Sequence, residues 1–273
     1  MNKFKAFFTF LAFLWLCLCG FWGIYALFGS GNAAWAGLVI NAFALPLWML
    51  IRYLLPEKTA SDLRESPAFA GVLLGLGFAL LADTQKGLPL YLAIYNLFVV
   101  LIYLFHLSTI GHSRLPAVGA HFPVLTVCNH ASGNPAELCR KVGEKGVLVV
   151  FLRGAFCAGS RTLLGQLHKL EMRLKEREVS LLVVGAQPRL QWPRFVMGEF
   201  SYWQADPKAQ ENASFVAGFG APLLLWPRQK EAVRPSAWLL DCEGTVIWRH
   251  LPGNYRVPGT AALFADQLYR LDD

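Results

Sequence analysis

The chain has 273 residues, 55% apolar and 16% charged, with a formal net charge of +7 and a mean hydropathy of +0.40. Soluble domains average ~45–50% apolar and ~25% charged residues, so this composition excludes a disordered chain and argues against a wholly soluble globule. Six cysteines are too few for a disulfide-built secreted scaffold, and without a lysine or arginine block nucleic acid is not an expected partner.

The apolar excess lies in the first part of the chain. Residues 6–51 hold no charged side chain. Four apolar runs follow one another at about 6–28, 35–55, 67–83 and 88–107. A spanning helix needs ~20 apolar residues. The first, second and fourth runs meet that length, the second with Arg52 snorkelling to the interface. The third has an uninterrupted apolar stretch of only ~15 residues, ~22 Å of helix, and must borrow its flanks or thin the bilayer. Within it Gly71 and Gly75 have the small-xxx-small spacing of close helix contacts. The first run exceeds the ~7–15 residues of a signal-peptide core and reads as an uncleaved span. Residues 1–109 are therefore expected to form an all-α, four-helix transmembrane region in a lipid bilayer of the inner or plasma-membrane type. Lys3 and Lys5 precede the first run and Arg52, Lys58 and Arg64 lie between the second and third, against Lys86 alone on the other side. The positive-inside rule then places both termini in the cytoplasm. Without a spanning third run the parity flips and the C-terminal domain is exported. Cys17 and Cys19, ~200° apart on a helix, read as packing residues, and His106 as an interfacial anchor.

Glycine, proline and polar residues at 110–116 end the apolar runs. From there to residue 273 the composition is that of a soluble domain. Residues 147–152 (Val-Leu-Val-Val-Phe-Leu) suit a strand buried on both faces. Leu163, Leu164, Leu167, Leu170 and Leu174 mark one stripe of a helix over about 158–177. Residues 180–185 read as a second buried strand, completing a βαβ unit. Residues 237–240 and 245–248 flank Asp241-Cys242-Glu243-Gly244 as a hairpin, and a last helix is expected over 260–271. A βαβ unit followed by a hairpin and a helix is the thioredoxin plan. The expected fold is thus an α/β thioredoxin-like domain with four or five central strands, preceded by the all-α region.

Cys157 falls where the first strand gives way to the helix. Helix N-termini present unpaired N–H groups and about half a positive charge, and both favour thiolate over thiol. Arg153 and Arg161 flank it and add to the effect. The competing reading of such a residue is a buried, inert cysteine.

The stretch Val149-Val150-Phe151-Leu152-Arg153-Gly154-Ala155-Phe156-Cys157-Ala158-Gly159-Ser160-Arg161 resembles the peroxiredoxin-like branch of the alkyl hydroperoxide reductase/thiol-specific antioxidant family. The resemblance extends over roughly 118–266. It takes in Val118-Gly119-Ala120-His121-Phe122-Pro123, Gln204-Ala205-Asp206-Pro207 with Gly218-Phe219-Gly220, and Arg234-Pro235-Ser236-Ala237-Trp238-Leu239-Leu240-Asp241. Gly244-Thr245-Val246-Ile247-Trp248-Arg249-His250 and Asn254-Tyr255-Arg256 close it. It implies a peroxidatic or redox role for Cys157. It further implies that Pro235, in a bond open to the cis form, faces the site and that Arg234 adds charge there. A plain loop-to-strand entry is the alternative for both. Three positions depart from the pattern. Gly154 stands where a threonine or serine orients the peroxide, Val150 where a proline is expected, and Ser160 where many relatives carry a second cysteine. A Cys-x-x-Cys disulfide therefore cannot form, and Ser160 joins the candidate site in its place.

A one-cysteine centre needs another thiol to resolve its sulfenate. Cys128 and Cys139 are the candidate resolving thiols, while Cys242, seven residues beyond Pro235, belongs at the far end of its strand. No metal is expected, since the six histidines show no paired ligand spacing. No nucleotide cofactor is expected without a glycine-rich phosphate loop. The expected activity is a membrane-anchored, peroxiredoxin-like oxidoreductase drawing electrons from a thioredoxin-like or low-molecular-weight thiol. Its oligomeric state is left open. A thiol–disulfide oxidoreductase on the exported side and a degenerate, non-enzymatic binding domain are the alternatives.

Overall fold

The computed structural model describes residues 2–54, 65–83, 87–107, 109–111, 115–129, 133–142, 144–192, 200–216, 232–255 and 257–272. The chain divides into two units, Met1–Ser108 and Thr109–Asp273. The expected motif residues 218–220 and Arg256 lie outside the described residues.

The apolar runs of the first unit become helices α1 (Asn2–Ser30), α2 (Ala34–Leu54), α3 (Ser66–Ala82) and α4 (Leu88–Leu101), the last continuing as a π-helical segment over Ile102–Leu107. Asn32 Oδ1 accepts the Ala34 N–H at 2.9 Å and so caps α2. Pro67 and Pro89 occupy the first turns of α3 and α4, where a missing N–H costs nothing. Phe7–Ser30, Ala34–Leu54 and Leu88–Leu107 are long and apolar enough to cross a membrane, whereas Ser66–Ala82 is shorter.

Small residues set how closely α3 lies on α2. A Cβ added at Gly75 would fall 2.4 Å from the Asn41 backbone nitrogen, and one at Gly37 2.5 Å from that of Ala79. One added at Gly71 would fall 2.9 Å from Ala44 Cβ. The paired positions rise along α2 as they fall along α3, so the two helices run antiparallel. Two fully buried amides sit among these helices. Asn41 Nδ2 donates to the Val72 carbonyl at 2.9 Å, and Asn96 Oδ1 accepts from Trp15 Nε1 at 2.9 Å. Arg52 Nη1 and Glu65 Oε1, both buried, pair at 2.7 Å. Phe28, Leu74, Leu81 and Phe105 point outward, as suits a surface solvated by lipid.

In the second unit α5 (Pro135–Val142) precedes β1 (Gly146–Phe151), α6 (Ala158–Glu176) and β2 (Val179–Gly185). Strands β3 (Ser201–Gln204), β4 (Ser236–Asp241) and β5 (Val246–His250) and helix α7 (Ala261–Ala265) complete it. The sheet order is β3-β2-β1-β4-β5. β1, β2 and β3 are parallel, and β4 and β5 antiparallel to their neighbours. β1 is buried along its whole length. On one face Leu148 and Val150 meet the α6 stripe of Leu163, Leu164 and Leu167, with Phe264 of α7. On the other face Val147, Val149 and Phe151 meet Phe122, Phe215 and Trp238. The hairpin turn is held by Asp241 Oδ1, which accepts the N–H groups of Glu243 and Thr245 at 2.9 and 2.8 Å. Gly244 supplies the φ of +91° that the turn needs.

The expected last helix is split. α7 covers only Ala261–Ala265, and Leu268–Leu271 form a separate 3-10 turn. The edge strand β3 and the short helix α5 have no counterpart in the expected elements.

Candidate functional site

The site grows out of the end of β1. Phe151 stands opposite Val184 of β2 and Ser236 of β4. Leu152 N–H still bonds the Val184 carbonyl at 2.9 Å before the chain turns. The turn is closed by the Cys157 N–H on the Gly154 carbonyl at 3.0 Å. It is fastened by Gln187 Oε1, which accepts the Ala155 N–H at 2.5 Å. Cys157 is the N-cap of α6, with extended backbone, and its carbonyl accepts the Arg161 N–H at 3.1 Å. Its side chain makes no cap bond and is 7% exposed, packed with Phe156 and Ala232. The thiol therefore stands beside the open N–H groups of the first helical turn.

Arg153 is buried in the same turn. Its guanidinium lies 3.9 Å from the Tyr255 ring centroid and 5.2 Å from that of Phe156, a stacking that orders a planar cation. Arg161 is half-buried on the first turn of α6. Ser160, three residues after Cys157, is 1% exposed, and its hydroxyl has no partner among the described residues.

Gly154 explains itself. Its φ is +155°, and an added Cβ would meet Phe156 Cε1 at 2.5 Å and Gln187 Oε1 at 2.8 Å. The space that a threonine side chain would need is taken by the Phe156 ring.

The Arg234 guanidinium has backbone partners. Its Nε donates to the Val216 carbonyl at 2.9 Å and its Nη1 to that of Gly111. Burial draws its pKa down from the usual guanidinium value. It clamps the start of this unit to the strand-like pairing of Val216 with Val233. Pro235 is buried immediately before Ser236, at the end of the sheet where Cys157 lies. No cis peptide bond occurs among the described residues, so the cis option at Pro235 is corrected to trans.

The candidate resolving thiols separate. Cys128 is an exposed free thiol whose N–H bonds the Gln204 carbonyl at 2.8 Å, beside the end of β3 on the edge of the sheet. Cys139 is disulfide-bonded to Cys242, with Cα atoms 5.5 Å apart, within the usual bridging range. This corrects the reading of Cys139 as a resolving thiol. Its bond lies at the Gly146–Asp241 end of β1 and β4, one strand length, about 17 Å, from the Cys157 end.

Two supporting residues were not singled out from the sequence. The sequence places Tyr255 within a motif but does not mark it as the face on which Arg153 stacks. Gln187 carries no distinguishing signal in its local sequence. Its backbone carbonyl accepts from Tyr202 Oη at 2.5 Å, and Tyr202 Oη in turn accepts from Trp192 Nε1 at 3.0 Å. Burial pushes the Tyr202 phenol well above its usual range, so it stays protonated and donating. Tyr202→Phe leaves both partners unpaired. It is expected to destabilise the domain by about 1–3 kcal/mol, read as a shift in the chemical-denaturation midpoint at unchanged slope.

No protein-family model matches the chain, and no curated protein does. Solved structures similar to it include peroxiredoxins. A reduced peroxiredoxin of Vibrio vulnificus in complex with hydrogen peroxide is 19% identical, with a TM-score of 0.41, over 56% of this chain and 99% of that one. AhpC of Mycobacterium tuberculosis is 16% identical, with a TM-score of 0.40, over 59% of this chain and 100% of that one. A peroxiredoxin-like protein of Aquifex aeolicus is 13% identical, with a TM-score of 0.43, over 59% of this chain and 90% of that one. The second unit itself has the layout of the thioredoxin plan, a βαβ unit of β1, α6 and β2 with the antiparallel hairpin β4–β5 and a closing helix on one sheet.

Proposed function

We propose that the chain is a membrane-anchored thiol redox protein in which Cys157 attacks hydroperoxides. The observation that carries this reading is the placement of Cys157 at the N-cap of α6, directly after β1 and in one turn with the buried guanidinium of Arg153. The thiolate attacks one peroxide oxygen and the O–O bond breaks. The sulfur keeps that oxygen as sulfenate, and the other leaves as water or an alcohol. A thiol reductant then attacks the Cys157 sulfur, the S–S bond of a mixed disulfide forms as the sulfenic oxygen leaves as water, and a second thiol attacks the reductant's sulfur and releases Cys157 as a thiol. In this reading α3 crosses the bilayer beside α2, giving four spans, and the excess of basic residues at 3–5 and 52–64 puts the second unit in the cytoplasm.

The Phe156 ring in the place of an orienting hydroxyl favours a second reading, a binding domain that has left peroxide chemistry. The two separate in one experiment. Detergent-solubilised full chain is mixed with hydrogen peroxide or an alkyl hydroperoxide, and sulfenate formation is followed by mass spectrometry. Oxidation at Cys157 is expected at least about a hundredfold faster than for free cysteine at the same pH, the scale of preorganised electrostatic stabilisation, and absent in Cys157→Ser. A rate no faster than free cysteine overturns the peroxidase reading.

A further inference from the structure

We propose that Cys139 and Cys242 form a reversible dithiol/disulfide centre, separate from Cys157, that staples α5 to the β4–β5 turn. Four observations carry it. The two Cα atoms stand 5.5 Å apart across 103 residues of sequence, so the pair is held within bonding reach by the fold rather than by a flexible loop. The two sulfurs differ in access: Cys139 is 0% exposed, whereas Cys242 in the hairpin turn is half-buried. Both sulfurs lie on one acceptor, the carbonyl oxygen of Glu144, at 3.0 and 2.7 Å. That acceptor sits on a fixed base, because the Glu144 N–H bonds the Cys139 carbonyl at 3.3 Å and the Glu144 carboxylate accepts from Ser180 Oγ of β2. The reduced state is thus as well provided for as the oxidised one. When the bond opens, the two S–H groups have the two lone pairs of the Glu144 carbonyl within reach, so neither is stranded. Arg140 Nε donates to the Cys242 carbonyl at 2.9 Å and keeps the turn against α5 in either state.

The chemistry follows from the difference in access. In oxidation the Cys242 thiolate attacks a hydroperoxide, taking one oxygen as sulfenic acid and releasing water or an alcohol. The Cys139 thiol then attacks the Cys242 sulfur, the S–S bond forms, and the sulfenic oxygen leaves as water. In reduction a dithiol attacks Cys242, the more accessible sulfur. Cys139 leaves as thiolate, takes a proton, and its S–H donates a hydrogen bond to the Glu144 carbonyl. The second thiol of the reductant then frees Cys242 and is itself oxidised to a disulfide. Cys157 takes no part, since the length of β1 separates the two centres. The proposal does not depend on Cys157 being a peroxidase.

The test uses the full chain in membranes, with thiols trapped by acid and counted by maleimide–polyethylene glycol gel shift. In Cys157→Ser two thiols are expected to become protected on hydrogen peroxide treatment and to return with dithiothreitol, and the wild type is expected to lose and regain the same two in addition to any oxidation of Cys157 itself. The oxidised wild type is expected to melt higher than the reduced by roughly 10 °C, as a closure of about a hundred residues implies. Three results overturn the proposal. The first is a pair that stays reduced under peroxide, and the second is one that stays bonded through dithiothreitol treatment of the folded protein, which makes it a permanent staple. Loss of the response in Cys157→Ser would place the pair downstream of that thiol. Because the wild type alone gives the first two answers, a variant that fails to fold does not spoil the test.

Discussion

Gly154→Thr is expected to weaken the second unit and to slow oxidation at Cys157, although threonine is the residue the peroxiredoxin resemblance calls for at this position. The physical reason is local. At a φ of +155° a β-branched residue is strained, and its Cβ would stand 2.5 Å from the Phe156 ring and 2.8 Å from Gln187 Oε1. Backbone strain and overpacking each cost about 1–3 kcal/mol. Displacing Gln187 also releases the buried Ala155 N–H, at about 1–3 kcal/mol more. The sum, about 3–5 kcal/mol after partial relaxation, corresponds to a melting point lower by roughly 10 °C. The measurement is a thermal melt together with the rate of Cys157 sulfenation. Phe156→Ala added to Gly154→Thr is expected to recover part of both, because the ring is the nearest obstacle. If Gly154→Thr alone leaves the melt unchanged and speeds sulfenation, the glycine is a lesion in the site rather than the residue its turn requires.

That outcome bears on what a sequence can disclose about such a site. β1, α6 and the hairpin were legible because each advertises itself locally. Residues 147–152 are aliphatic and aromatic without interruption, the α6 leucines repeat at helical spacing, and Asp241 to Gly244 spells a turn. The position of Cys157 followed from those elements. β3 was not legible, because four residues, Ser201–Gln204, become a strand only by pairing with Leu182–Gly185 of β2. The Cys139–Cys242 bond was not legible for a related reason. It joins α5, a helix of eight residues, to a turn 103 positions away, and spacing along the chain carries no signal of that pairing. Gln187 escapes for the same cause: its role is to hold the Ala155 N–H, 32 residues distant.

In the first unit the largest expected effect is at Gly75. Gly75→Leu places a Cβ 2.4 Å from the Asn41 nitrogen and 2.7 Å from its Cα. Those are backbone atoms that cannot swing aside, so α3 must move away from α2. The shift also pulls the Val72 carbonyl from Asn41 Nδ2 and leaves a fully buried amide unpaired, costing about 1–3 kcal/mol beyond the packing loss. Gly77→Leu is the matched control. It lies two residues away on the same helix, adds the same side chain, and its Cβ meets nothing within 4 Å. The expected result is a large fall in thermal stability and yield of detergent-solubilised full chain for Gly75→Leu and none for Gly77→Leu. Equal behaviour of the two would mean that α3 is held by its hydrophobicity alone, since both variants raise that equally. The contrast matters for topology. On the four-span reading proposed above, α3 crosses with the α2 it contacts from Gly37–Ala79 to Asn41–Gly75, and an even number of spans would return the chain to the side of Lys3 and Lys5. Labelling of the exposed Cys128 by a membrane-impermeant maleimide reads that side directly. Modification only after the membrane is opened is the outcome that four spans require, and modification in intact cells would show that α3 does not cross.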